Sequence, residues 1–100
     1  MGTSITVHYV YMILCGDNTY YTGYTTRLFK RYFQHCRGKG AKYTKGRGPL
    51  EMVYCEKYKT KSEAMKREYQ IKQLTHKQKE KLIHDDATKI HSLPNGSSSR

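Results

Sequence analysis

From Val7 to Cys15 nearly every position is apolar or aromatic. Val7, Tyr9, Tyr11, Ile13 and Cys15 fall on one face of an extended segment, and His8, Val10, Met12 and Leu14 on the other. A strand with two apolar faces belongs in the middle of a sheet, covered on both sides. Gly16-Asp17-Asn18-Thr19 supplies turn residues, and TYYTGY returns as an antiparallel partner, so the pattern predicts a hairpin in which Gly23 ends the second strand at a sharp turn.

Helical spacing follows. Leu28, Phe29, Tyr32, Phe33 and Cys36 make a stripe at about 100° per residue, with Thr25 or Thr26 as its N-cap. Arg31 and His35, one turn apart, lie at the edge of that stripe. RGKGAKYTKGRGP reads as a loop with a short helical turn around Ala41 to Thr44, and LEMVYCEKY as a third strand. Thr60-Lys61-Ser62-Glu63 and Thr75-His76-Lys77-Gln78 fit capping boxes, which predicts one helix through about Leu74 and another from about His76 to Ile83. SLPNGSSSR has the composition of a disordered segment. The expected fold is α+β, a small three-stranded, mainly antiparallel sheet flanked by helices in the order β-β-α-β-α-α. It forms a single domain over residues 1–84, and residues 85–100 form a disordered tail.

Charge narrows the partners. With 19 Lys and Arg against 8 Asp and Glu, the chain carries a formal charge of +11, which points to a polyanion and first to nucleic acid. Asp85 to Arg100 holds two acids and two cations, so the whole excess sits on residues 1–84. The run from Tyr9 to Cys15 is far short of the ~20 apolar residues that cross a bilayer, and MGTSITVHY lacks a signal-peptide pattern. No membrane association is expected. Cys15, Cys36 and Cys55 are odd in number and lack CxxC spacing, which predicts reduced thiols in a cytoplasmic protein rather than a disulfide framework or a zinc site.

Glu68 stands out next, because it falls within the arc formed by Ala64, Met65, Tyr69 and Ile71. An inward carboxylate needs a cationic partner. Lys72 at i+4 would supply one as a helix-surface ion pair, and a divalent cation such as Mg²⁺ would supply another. Arg31 could fork onto two phosphate oxygens; on so basic a chain the competing reading is a solvated charge. Tyr9, Tyr11, Tyr20, Tyr21 and Tyr24 crowd the hairpin, mostly as packing, although a hydroxyl beside an Arg and a metal can relay the proton of an attacking water. Around Tyr43, the loop cations Lys39, Lys42, Lys45 and Arg47, together with Arg27, are the expected nucleic-acid contacts.

Tyr9-Val10-Tyr11, Tyr21-Thr22-Gly23, then Arg31, His35 and Glu68 form an ordered set that resembles the GIY-YIG nuclease family. GKGAKYTKGRGP and TKSEAMKREY are similar to signatures of its small stand-alone bacterial members, so the resemblance covers roughly residues 7–83. Tyr9 and Thr22 replace the glycine and isoleucine of the two tripeptides, and Tyr24 stands where some relatives carry lysine. The resemblance implies a metal-dependent phosphodiesterase, with Glu68 holding Mg²⁺ (Mn²⁺ can substitute) and Arg31 stabilising the transition state. Tyr11 or Tyr21 would activate water with the help of His35. The expected activity is an endonuclease on DNA with low sequence specificity or a preference for a DNA structure, because no separate target-selecting domain is present. The alternatives are a nucleic-acid-binding module that cuts weakly or only with a protein partner, and RNA as the substrate.

Overall fold

A computed structural model of the chain describes residues 5–91, with side chains described as far as Asp85. The elements follow the order β1 (His8–Cys15), β2 (Tyr20–Thr25), α1 (Leu28–Cys36), β3 (Leu50–Tyr58), α2 (Lys61–Lys72) and α3 (His76–His91). The three strands form one antiparallel sheet in the order β2-β1-β3, so the doubly apolar β1 is central as its pattern requires. In the β1–β2 turn Asn18 takes the left-handed conformation, and the Asp17 carboxylate accepts hydrogen bonds from the backbone N–H and the hydroxyl of Thr19.

Alternation along β1 divides the core in two. Val10 and Met12 meet Tyr54, Ala64 and Ile71 under α2, with Leu74, Leu82 and Ile83 packed against them. Tyr11, Ile13 and Cys15 face Leu28 and Tyr32 of α1 together with Leu50 and Met52. Helices therefore cover both faces of the sheet, and β2 is left as an edge strand.

Several local expectations are corrected. Gly23 lies inside β2 opposite Tyr11 rather than ending the strand. The α1 N-cap is Arg27, without a side-chain cap; Thr25 instead accepts a hydrogen bond from the Arg27 N–H. The inward face of α1 is Leu28, Arg31, Tyr32 and His35, whereas Phe29, Phe33 and Cys36 are exposed. On α2, Met65 and Tyr69 are likewise exposed, and the inward line is Ala64, Arg67, Glu68 and Ile71. Residues 42–46 form turns instead of a helix. The Thr75 capping box forms in full, with the Gln78 N–H donating to the Thr75 hydroxyl and the Thr75 N–H to Gln78 Oε1; at Thr60 the hydroxyl accepts the Glu63 N–H, but Glu63 Oε1 accepts from the Thr60 hydroxyl rather than from its backbone N–H. Helix α2 ends at Lys72, short of Leu74, while α3 continues past Ile83 to His91, over part of the segment expected as tail; residues 92–100 lie outside the described residues.

Candidate active site

The register of β1 and β2 and the pitch of α1 bring Tyr11, Tyr21, Arg31 and His35 together on one side of the sheet. Tyr11 and His35 are fully buried, and the Tyr11 oxygen lies 2.9 Å from His35 Nε2. The Tyr21 ring sits 5.1 Å from the imidazole and 6.2 Å from the Tyr11 ring, centroid to centroid. Two glycines make room for this cluster. A Cβ on Gly23 would stand 2.5 Å from the Tyr11 hydroxyl, and one on Gly40 would overlap the His35 ring, so both positions require a close backbone approach.

The direction of the hydrogen bonds follows from a residue that sequence reasoning missed. Thr44, buried in the basic loop, donates its hydroxyl proton to the Ala41 carbonyl at 3.2 Å, and its oxygen lies 2.9 Å from His35 Nδ1. With its one proton committed, Thr44 can only accept from His35, so Nδ1 carries the hydrogen and Nε2 is the acceptor for Tyr11. Nothing in the loop sequence marks Thr44, because a single hydroxyl among glycines and cations carries no periodic signal. Burial, reinforced by the nearby Arg31 charge, holds His35 down to about 4, so the imidazole is neutral at physiological pH. Burial pushes Tyr11 up to about 12, against the pull of Arg31 and with a further push from Tyr21.

This buried neutral histidine couples stability to pH. Its folded value, about 4, lies below the unfolded value of 6.5, so the unfolded chain binds the proton first. The stabilisation is complete above pH 6.5 and is lost as pH falls from there toward about 4, by up to about 3 kcal/mol. Denaturant midpoints measured across that window are expected to fall steeply for the wild type and to stay flat for His35→Gln. Parallel curves would assign the slope to other groups. Glu56 contributes at lower pH: burial works to raise it, but hydrogen bonds from Arg67, Tyr54 and Tyr58 leave it below the usual carboxylate value.

Arg31 is half-buried, and its Nη1 donates to Gln34 Oε1 at 3.3 Å. It lines an open groove of about 400 Å³ with Tyr24, Thr25, Thr26, Arg27 and Lys30, at the C-terminal end of the edge strand. Behind the groove, the Tyr24 hydroxyl lies 2.8 Å from His8 Nδ1. Tyr43 extends the aromatic row, its ring 5.7 Å from that of Tyr21. Arg47 lies 4.2 Å over Tyr43 and is tied to Asp17 at 2.6 Å, so it fastens the loop to the β1–β2 turn. Lys39, Lys42 and Lys45 are exposed on the same loop, and Arg27 is exposed at the groove.

Glu68 stands apart from the tyrosine–histidine cluster. It lies between Ala64 and Ile71 on α2, on the other side of the sheet, and its carboxylate pairs with Lys72 at 3.3 Å. Its side chain is 14% exposed. Among the described residues no group of three or more His, Cys, Asp or Glu could hold a metal ion. A lone carboxylate still suits Mg²⁺, which keeps most of its waters and binds through one or two carboxylates plus substrate phosphate oxygens. β2 is an edge strand, and α2 packs against it as well as against β1 and β3.

Residues 7–81 match the family model described as the GIY-YIG catalytic domain. Over 79 residues the chain is 51% identical to a UPF0213 protein of Natronomonas pharaonis, covering 79% of this chain and 93% of that protein. A UPF0213 protein of Halobacterium salinarum is 55% identical over 77 residues, 77% of this chain and all of the relative. The solution NMR structure of the UPF0213 protein from Bacillus halodurans aligns with a TM-score of 0.56 at 41% identity, covering 93% of this chain and 99% of that one. An E. faecalis protein solved the same way gives 0.60 at 42% identity, with coverages of 88% and 93%. The similar proteins come from archaea as well as bacteria, so the small stand-alone group is wider than the bacterial one the motifs resemble.

Proposed function

The chain belongs to the GIY-YIG family, whose catalytic domain suggests nuclease activity, and on that basis we propose that it is a metal-dependent endonuclease hydrolysing phosphodiester bonds in DNA. The observation that carries this reading is the directed line from Tyr11 through His35 to Thr44 beside the Arg31 groove.

In the proposed reaction a water attacks the phosphorus of a strand lying in the groove. Half-buried Tyr21 accepts a proton of that water as its own phenolic proton passes to the Tyr11 oxygen and the Tyr11 proton moves to His35 Nε2, while the P–O bond to the leaving oxygen breaks and that oxygen takes a proton from solvent. The imidazolium keeps its Nδ1–H on Thr44, so the loop fixes the ring throughout. Arg31 forks onto the phosphate oxygens and stabilises charge developing there. A phosphate beside Arg31 also offsets the positive field on His35, which raises the basicity of the imidazole when substrate is present. Glu68 would hold the Mg²⁺, with Mn²⁺ as a substitute. When bound, the ion supplies Lewis-acid polarisation of a phosphate oxygen and stabilises the leaving oxygen. The cations Arg27, Lys39, Lys42 and Lys45 contact the backbone without reading sequence, so specificity is low. The three cysteines form no disulfide, in keeping with a reducing, cytoplasmic setting, and among the described residues no helix is long and apolar enough to cross a membrane.

The test is incubation of the wild-type chain with labelled duplex, single-stranded, flapped and branched DNAs, and matching RNAs, with Mg²⁺, with Mn²⁺ and with chelator. Cutting of DNA that chelator abolishes is the expected result. Preference for RNA would reassign the substrate, and tight binding without cutting under every condition would make the chain a partner-dependent module.

A further inference from the structure

The outward face of α1 is unusual for so small and basic a domain. Phe29 is 85% exposed and Phe33, one turn on, is 65% exposed. Lys30 and Arg37 are exposed beside them, and the Arg37 guanidinium lies 5.6 Å over the Phe33 ring. Neither phenyl ring belongs to either core cluster, whose α1 members are Leu28 and Tyr32. The same helix presents Arg31 and His35 inward, so this face is the back of the element that carries the candidate site.

We propose that Phe29 and Phe33 form a stacking platform for unpaired bases of the nucleic-acid substrate, which directs the chain to single-stranded or flapped DNA. The proposal rests on the nuclease reading for its substrate. Charge selects the occupant. Between Asp17 and Glu51 there is no carboxylate, while Arg27, Lys30, Arg31, Arg37, Lys39, Lys42, Lys45 and Arg47 all lie in that interval. A strand entering the groove at Arg31 would meet Arg27 and Lys30 on its wall, and Lys30 is the chain neighbour of the exposed Phe29. Size argues the same way. Leu28–Cys36 is nine residues, about 13 Å of helix, room for a few stacked bases. A stable protein interface needs roughly 800 Å² from each partner, more than two phenyl rings on so short a helix offer. Bases paired in a duplex keep their faces covered, so only unpaired ones can use the platform.

The experiment measures binding of the full chain to a labelled single strand containing 2-aminopurine and to a duplex of equal length, for wild type, for Phe29→Ala/Phe33→Ala and for Phe29→Tyr/Phe33→Tyr. Both residues are exposed, so the variants fold. The alanine pair is expected to weaken single-strand binding at least tenfold and to remove most of the 2-aminopurine quenching, with duplex affinity changed less than twofold; the tyrosine pair restores both. Equal weakening on strand and duplex, no weakening at all, or a change confined to the protein's self-association would each overturn the platform. The readout does not depend on cleavage. Quenching that follows the rings in a protein that cuts nothing would keep the platform and remove the nuclease reading. Cutting with no dependence on the rings would do the reverse.

Discussion

Replacing Arg31 by Ala, or Glu68 by Gln, is expected to lower the cleavage rate by about 10³-fold, with the two variants separating on binding. Arg31 faces the groove and sits close enough to the cluster to depress His35 and to pull on Tyr11, so in the proposed reaction its charge would act where negative charge develops. Removing one such charge typically costs two to three orders of magnitude or more. It would also remove the proposed phosphate contact, so Arg31→Ala is expected to weaken DNA binding and lessen its salt dependence. Glu68 is itself negative, and neutralising it removes a repulsion from DNA, so Glu68→Gln binds as tightly as the wild type or more tightly while failing to cut. Cleavage rates read beside salt-titrated affinities decide this. Unchanged cutting by Glu68→Gln would leave the carboxylate as no more than the helix-surface partner of Lys72.

How far the chain could be read in advance depended on whether a signal was local. The doubly apolar β1, the turn residues at 16–19 and the two capping boxes are short-range signals, and the hairpin, the central strand and both helix starts follow from them. The stripe on α1 misled because hydrophobic spacing assumes that the most apolar side chains turn inward. Here Leu28 and Tyr32 suffice to cover Tyr11, Ile13 and Cys15, and the positions between them on the inward face belong to Arg31 and His35. The rule broke where Arg31 and His35, the candidate site residues, take inward positions in place of the phenyl rings, which are left on the surface. Gly23 and Gly40 were legible as glycines but not by purpose, since their need arises from rings 12 and 5 residues away that reach them only in the folded chain. The placement of Glu68 within the inward arc of α2 is visible on a helical wheel; that it stands across the sheet from the tyrosines is a consequence of topology.

Tyr11→Phe removes the hydroxyl at the centre of the proposed proton line and is expected to lower the cleavage rate by about 10³-fold, with little change in fold because the ring and its packing stay. The more discriminating variant is Thr44→Val. Thr44 touches neither substrate nor water in the proposed reaction; it acts by accepting the His35 Nδ1 hydrogen. Valine keeps the shape and removes that acceptor, so the imidazole is no longer held with Nε2 toward Tyr11, and the rate falls by about 10–10²-fold. Thr44→Ser keeps the hydroxyl and is expected to restore the rate. A merely structural role would affect stability and leave the pH dependence of cleavage in place. In the proposed role, the acid limb of the wild-type profile follows His35, which must be neutral to accept the Tyr11 proton. Activity therefore falls as pH drops toward the value at which His35 is protonated in the complex, somewhat above the value of about 4 in the free protein once phosphate faces Arg31. In Thr44→Val that limb shifts or disappears, because the two ring nitrogens now compete for the proton. A pH–rate profile unchanged by both threonine variants, with equal rates, would remove Thr44 from the mechanism and leave His35 as a packed neighbour of Tyr11.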